Sequence, residues 1–215
     1  MVILKGEKYL TDLDTWAIKT MRAHKMVWSG WGTADSLHGH FQVLPGSPWG
    51  IRRINGVDTK RLRLFFLSLL WRAAATSRQE FAEVEMPTDD LEMLRTMLLA
   101  SQPLPLSFYP ITLTQLSTRG VMQNMPPIAD YKNIPSLIPG LPHRLERIYR
   151  FYFDGLLAHI HIPDGTGGAD DYKEEGSFVL GAANDVVLST VTYESSFQKE
   201  NFDIVMSESN PTNLI

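Results

Sequence analysis

Two pairs of histidines have the spacing of metal ligands: His38 and His40 in "HGH", and His159 and His161 in "HIH". Residues two apart on a strand point the same way, so each pair could offer two imidazoles to one divalent ion. Asp164, Asp170 and Asp171 follow the second pair. With them, His159, His161 and Asp164 form a mixed nitrogen and oxygen set that suits a metal-dependent hydrolase or nuclease. The competing reading places His159 and His161 on the solvent face of a strand whose Leu156, Ala158, Ile160 and Ile162 face the core. "HGH" lies among glycines and makes the weaker case.

A second group is basic. Arg52, Arg53, Lys60, Arg61 and Arg63 cluster around "RLRLFFLSLLWRAAATSR" (residues 61–78), with Arg72 and Arg78 further along. On one face, the first five could contact phosphates of a nucleic acid. The alternative, and the favoured one, is internal pairing. Arginines would snorkel out of a buried helix to meet the acidic run Glu80, Glu83, Glu85, Asp89, Asp90 and Glu92. Trp28, Trp31 and Trp49 precede this helix in a glycine-rich stretch and are candidates for a stacking surface or a protein interface.

Other chemistries lack their residues. "PDGTGGADDYKEEG" has no Gly-Lys-Ser/Thr ending and no calcium-loop spacing, so it reads as an acidic hairpin loop. No G-x-S-x-G occurs, and no serine stands out near a histidine. The absence of cysteine removes disulfides, thiol catalysis and thiolate metal sites, and fits a cytoplasmic protein. A formal net charge of -4 argues against a whole-surface nucleic-acid binder. The solid apolar run "LFFLSLLW" is far below the roughly 20 residues of a membrane span, and its arginines would be costly in lipid.

The elements that must carry these residues follow from periodicity. "EKYLTDLDTWAIKTMRAH" predicts an amphipathic helix with Leu10, Leu13, Trp16, Ala17 and Met21 on one face. "HFQVL" and "GIRRING" predict a hairpin. Asp58 or Thr59 caps the central helix, which is apolar nearly all round and so belongs inside a soluble fold. Thr88 with Asp89 and Asp90 opens another helix. Beyond it, "PLSFYPITLTQL", "FYFDGLLAHIHI", "SFVLGA", "DVVLSTVTY" and "FDIVM" predict strands, and "HRLERIYR" a short helix. "MPPIADYKNIPSLIPGLPH" is too proline-rich for long regular structure. The whole predicts one α+β domain over 1–215: a helical part to about 102 packed on an antiparallel β-rich part over 103–207, with a frayed tail at 208–215.

The central segment "GVDTKRLRLFFLSLLWRAAATSRQEFAEVEM" resembles one found in a family of bacterial proteins. "KGEKYLTDLDTWAIKTM" and "RFYFDGLLAHIHI" resemble its flanking parts. Members of that family usually carry an N-terminal Cys-rich, HNH-like or zinc-ribbon module, and some belong to mobile-element or phage-defence loci. This chain starts at the equivalent point with no cysteine. The resemblance therefore implies the body of such a protein without its metal-binding head, and no nuclease residues carry over. The expected function is a non-catalytic subunit or interaction module of a bacterial multi-protein system. Its partners would be another protein, such as an ATPase or nuclease, and nucleic acid, with no membrane. No cofactor is expected, and a divalent metal enters only if the His159/His161 alternative holds.

Overall fold

A computed structural model of the chain describes residues 4–122, 125–134, 144–163 and 178–209. Helices α1 (Leu4–Ala23), α2 (Thr59–Ala74) and α3 (Thr88–Ala100) come from the first half, as the periodicity predicts. Asp58 caps α2 by accepting from the Arg61 amide at 2.9 Å. The strands are β1 (Gln42–Val43), β2 (Trp49–Ile54), β3 (Ile111–Leu116), β4 (Ile128–Ile134), β5 (Arg144–Phe153), β6 (Leu156–His161) and β7 (Val186–Val191). They form one sheet in the order β1-β2-β7-β3-β6-β5-β4. All neighbours are antiparallel except β3 and β7, so the α+β class stands, and the predicted hairpin of the first half joins the sheet.

Helices cover one face. Ile111 and Leu113 of β3, Tyr149 and Phe151 of β5, Ala158 and Ile160 of β6 and Leu188 of β7 pack there against Leu62, Phe65, Phe66 and Leu70 of α2. The residues alternating with these on the other face are covered too. Trp28, Trp31 and Leu37, from the segment after α1, pack on Leu116, Tyr152, Leu157 and Val191. Helix α4 (Phe197–Ser209) lies beside them, its Phe197 over Arg150 and edge-on to His159.

Because both faces are covered, several local expectations fail. Residues 144–150 of "HRLERIYR" are strand, not helix: Ile148 and Arg150 are buried on one face and Tyr149 on the other, and pairing on both sides overrides helical propensity. "FDIVM" is helix in α4, not strand. "SFVLGA" contributes only the single bridge Val179–Thr112. The proline-rich stretch contains β4, placed on the sheet edge after Pro127, where proline is tolerated. "FYFDGLLAHIHI" is not one strand: Asp154 and Gly155 both have positive φ (38° and 84°) and turn β5 into β6.

Three arginines hold the irregular segments. Arg63, fully buried, donates to the carbonyls of Pro103, Pro105, Leu106, Phe108 and Tyr109 at 2.6–3.4 Å, wrapping the turn between α3 and β3 around its guanidinium. Arg52 donates to the His24 and Lys25 carbonyls and to Gln115 Oε1 at the end of α1. Arg119 donates to the carbonyls of Trp28, Gly32 and Ala34. Buried carbonyls outside regular structure need donors, and a five-donor guanidinium satisfies several at once.

Candidate functional site

The arginine clamps redraw the basic cluster. Arg52 and Arg63 are internal and spend their donors on backbone oxygens, so neither reaches a phosphate. Arg53 is exposed and pairs with Asp185 at 3.1 Å. Lys60 and Arg61 stay on the surface, with Arg61 lying 4.5 Å over the Trp16 ring. Internal pairing is the rule, with partners other than those expected. Arg72 makes a bidentate bond to Asp14 of α1, and Glu80 of the acidic run stands 3.8 Å from Arg78. Trp28 and Trp31 are 1% and 4% exposed and Trp49 is half-buried, so the indoles are packing beneath the surface rather than a platform on it. His38 and His40 are exposed, the first stacked on Phe41.

The "HIH" pair leads elsewhere. His159 and His161 do share a face, but it is covered and not solvated: both are buried. His159 Nε2 accepts from Arg150 Nε at 3.2 Å, and Arg150 Nη1 meets Asp130 Oδ2 at 2.5 Å. Burial, reinforced by Lys132 and Arg150, holds the His159 imidazole well below its ordinary pKa, so it is neutral with its hydrogen on Nδ1. That nitrogen has no partner among the described residues. Asp164, the third expected ligand, lies outside the described residues, as do Asp170 and Asp171. Among the described residues no group of three His, Asp or Glu is placed to hold a metal ion.

His161 has a different set of neighbours. The antiparallel register places Lys132 of β4 opposite Glu146 of β5, Ile148 opposite His161 of β6, and Thr112 of β3 opposite His159. Opposed residues share a face, so Lys132, Glu146, His161 and Thr112 converge from four adjacent strands. His161 Nδ1 lies 2.5 Å from Glu146 Oε2, and His161 Nε2 lies 3.1 Å from Thr112 Oγ1. Lys132 Nζ donates to the same Thr112 oxygen at 3.1 Å. With His161 neutral and its hydrogen on Nδ1, one assignment satisfies every bond: Lys132 gives to Thr112, Thr112 gives to His161 Nε2, and His161 Nδ1 gives to Glu146. Burial lowers the Lys132 amine to a pKa of about 8; Glu146 opposes this shift and Arg150 adds to it. Thr112, Lys132 and Glu146 are half-buried, whereas His161 is buried.

This arrangement is a hydroxyl held by a base that a carboxylate orients, the recurring geometry of an activated nucleophile. Sequence reasoning found His161 but missed Thr112, Lys132 and Glu146. These four residues are spread over fifty positions, and only the sheet register brings them together. A concavity of about 700 Å³ opens away from these four residues, where α2 ends against β5, lined by Leu69, Arg72, Ala73, Arg78, Phe81 and Phe153. No helix among the described residues is long and apolar enough to cross a membrane. No family model, curated protein or solved structure matches the chain.

Proposed function

We propose that the protein is a metal-independent hydrolase that works through a covalent ester on Thr112. The observation that carries this reading is the Thr112–His161–Glu146 chain, in which the two His161 nitrogens lie within hydrogen-bond reach of the Thr112 hydroxyl and the Glu146 carboxylate. Thr112 Oγ attacks a carboxylic ester, forming an Oγ–C bond as its proton passes to His161 Nε2. His161 returns that proton to the departing alkoxide, which leaves as an alcohol. Water, deprotonated by the same nitrogen, then releases the carboxylic acid and restores the hydroxyl. Glu146 fixes the ring tautomer and stabilises the imidazolium that forms in each half.

The test is hydrolysis of p-nitrophenyl acetate with mass analysis of the quenched protein. An acetyl group on Thr112 is expected, lost in Thr112→Ala and kept in Thr112→Ser. His161→Ala should slow the reaction by about 100-fold or more. Turnover that persists unchanged in Thr112→Ala would refute the reading. The role as a subunit of a bacterial DNA-directed system, in the cytoplasm with protein or nucleic-acid partners, rests on the sequence resemblance. Of the residues that role would use, Arg52, Arg63, Trp28 and Trp31 are buried, whereas Arg53, Lys60 and Arg61 are on the surface.

A further inference from the structure

We propose that Lys132 is a fourth catalytic residue, whose ammonium points the Thr112 hydroxyl hydrogen at His161 and carries the charge that develops on Oγ during attack. The inference rests on the Thr112 reading above and extends it.

A hydroxyl has one hydrogen to give and two lone pairs to accept with. Thr112 Oγ1 sits 3.1 Å from each of two nitrogens, Lys132 Nζ and His161 Nε2, and both could in principle take its hydrogen. An ammonium has no lone pair, so a charged Lys132 must donate, and the Thr112 hydrogen is left with a single destination. A neutral amine would compete for it, and His161 would lose its claim. Lys132 therefore decides which way the chain of hydrogen bonds runs. As Oγ gives up its proton, negative charge grows 3.1 Å from a half-buried cation, where such stabilisation is stronger than in bulk water.

The surroundings fit a cation retained for a purpose. Lys132 is largely desolvated. Of the carboxylates on the same face, Glu146 stands opposite Lys132, favours its charged form and also binds His161 at 2.5 Å, while Asp130 binds Arg150 at 2.5 Å. The remaining charged or titratable groups facing it among the described residues are Arg150, His159 and His161, none of which supplies negative charge.

Two readouts separate this inference from the hydrolase reading. The first is the rate at which a fluorophosphonate modifies Thr112 in Lys132→Met and Lys132→Arg. Methionine should slow modification by about 100-fold, whereas arginine, still a cation, should keep it within about tenfold of the parent. The second needs no reaction: the ring ¹⁵N shifts of His161 in the unmodified protein, followed from about pH 6 to about pH 10, across the range in which a lowered lysine titrates. The Nε2 shift should show an accepted hydrogen bond that weakens as Lys132 deprotonates in the parent, and this pH step should be missing in Lys132→Met, which has no amine to compete. If Thr112 is never modified, the hydrolase reading falls while the His161 shifts still judge Lys132. If Lys132→Met reacts at the parent rate, or keeps the parent's pH step in the His161 Nε2 shift, the inference is overturned.

Discussion

Single side chains divide here into those that hold the fold and those that strain it. Arg63 belongs to the first kind. Burial lowers its pKa to about 10, still well above neutrality, so it remains a cation with all its donors committed to the turn that ends at Tyr109. Removing it strands several buried carbonyls, so Arg63→Met should lose about 3–5 kcal/mol in denaturant unfolding. Arg63→Lys should recover only part, because three donors on a point charge cannot span the turn. Lys132 belongs to the second kind. Lys132→Met should raise stability by on the order of 2 kcal/mol while damaging the site. The sign can be checked by pH. The unfolded lysine holds its proton to about pH 10.4, whereas the folded one releases it near 8. Between those values the unfolded state binds more protons, so the stability of the parent should rise with pH relative to that of Lys132→Met. His159 acts at the acid end. Its folded form resists the proton that the unfolded imidazole takes near pH 6.5, so stability should fall as the pH drops through that value.

At the scale of elements, the β5–β6 hairpin ties the two coverings of the sheet together. Its turn residue Asp154 accepts from the Trp28 amide through its carbonyl and from the Ser29 amide through Oδ2. The next residue, Gly155, has φ 84° and leaves no room for a Cβ against the Trp28 ring. Gly155→Ala therefore meets both backbone strain and an indole that cannot give way. A loss of about 2 kcal/mol or more is expected, with a change in Trp28 fluorescence as the ring shifts. Asp-Gly between alternating apolar residues is a strong hairpin signal, but the apolar pattern of "FYFDGLLAHIHI" predicts strand throughout, and the turn within it was missed. The helices were readable: Leu13, Ala17 and Met21, or Leu94, Met97 and Leu98, repeat with the helical period and are buried. "HRLERIYR" and "FDIVM" were not readable. Their short apolar patterns fit either period, and only the neighbours they pack against decide. The open edge of β4 shows how local chemistry completes an element: Glu83 accepts from the Ala129 amide, and Asp130 accepts from the amide of Tyr131. Carboxylates thus occupy edge amides that an added strand would need.

For the whole molecule, the sheet has two unlike faces. The helical side is a continuous apolar core, where "LFFLSLLW" contributes its most deeply buried part. The other side carries Trp28 and Trp31 at one end and the Lys132–Thr112–His161–Glu146 chain at the other, with Phe197 of α4 over the Arg150–His159 pair. Two-residue spacing in "HIH" correctly indicates a shared face, but it cannot tell a metal ligand from a base. That distinction lies in what the other strands deliver to each nitrogen. An apolar core on one face and paired polar groups on the other are what a sheet needs to stabilise a fold and also support chemistry. The central claim is that Thr112 is the nucleophile of this face. Its most direct test is the mass of the protein after exposure to a fluorophosphonate, with the modified peptide sequenced. A single adduct on Thr112, formed by the parent and not by His161→Ala, is the expected result. No adduct on Thr112, or equal modification without His161, would contradict it.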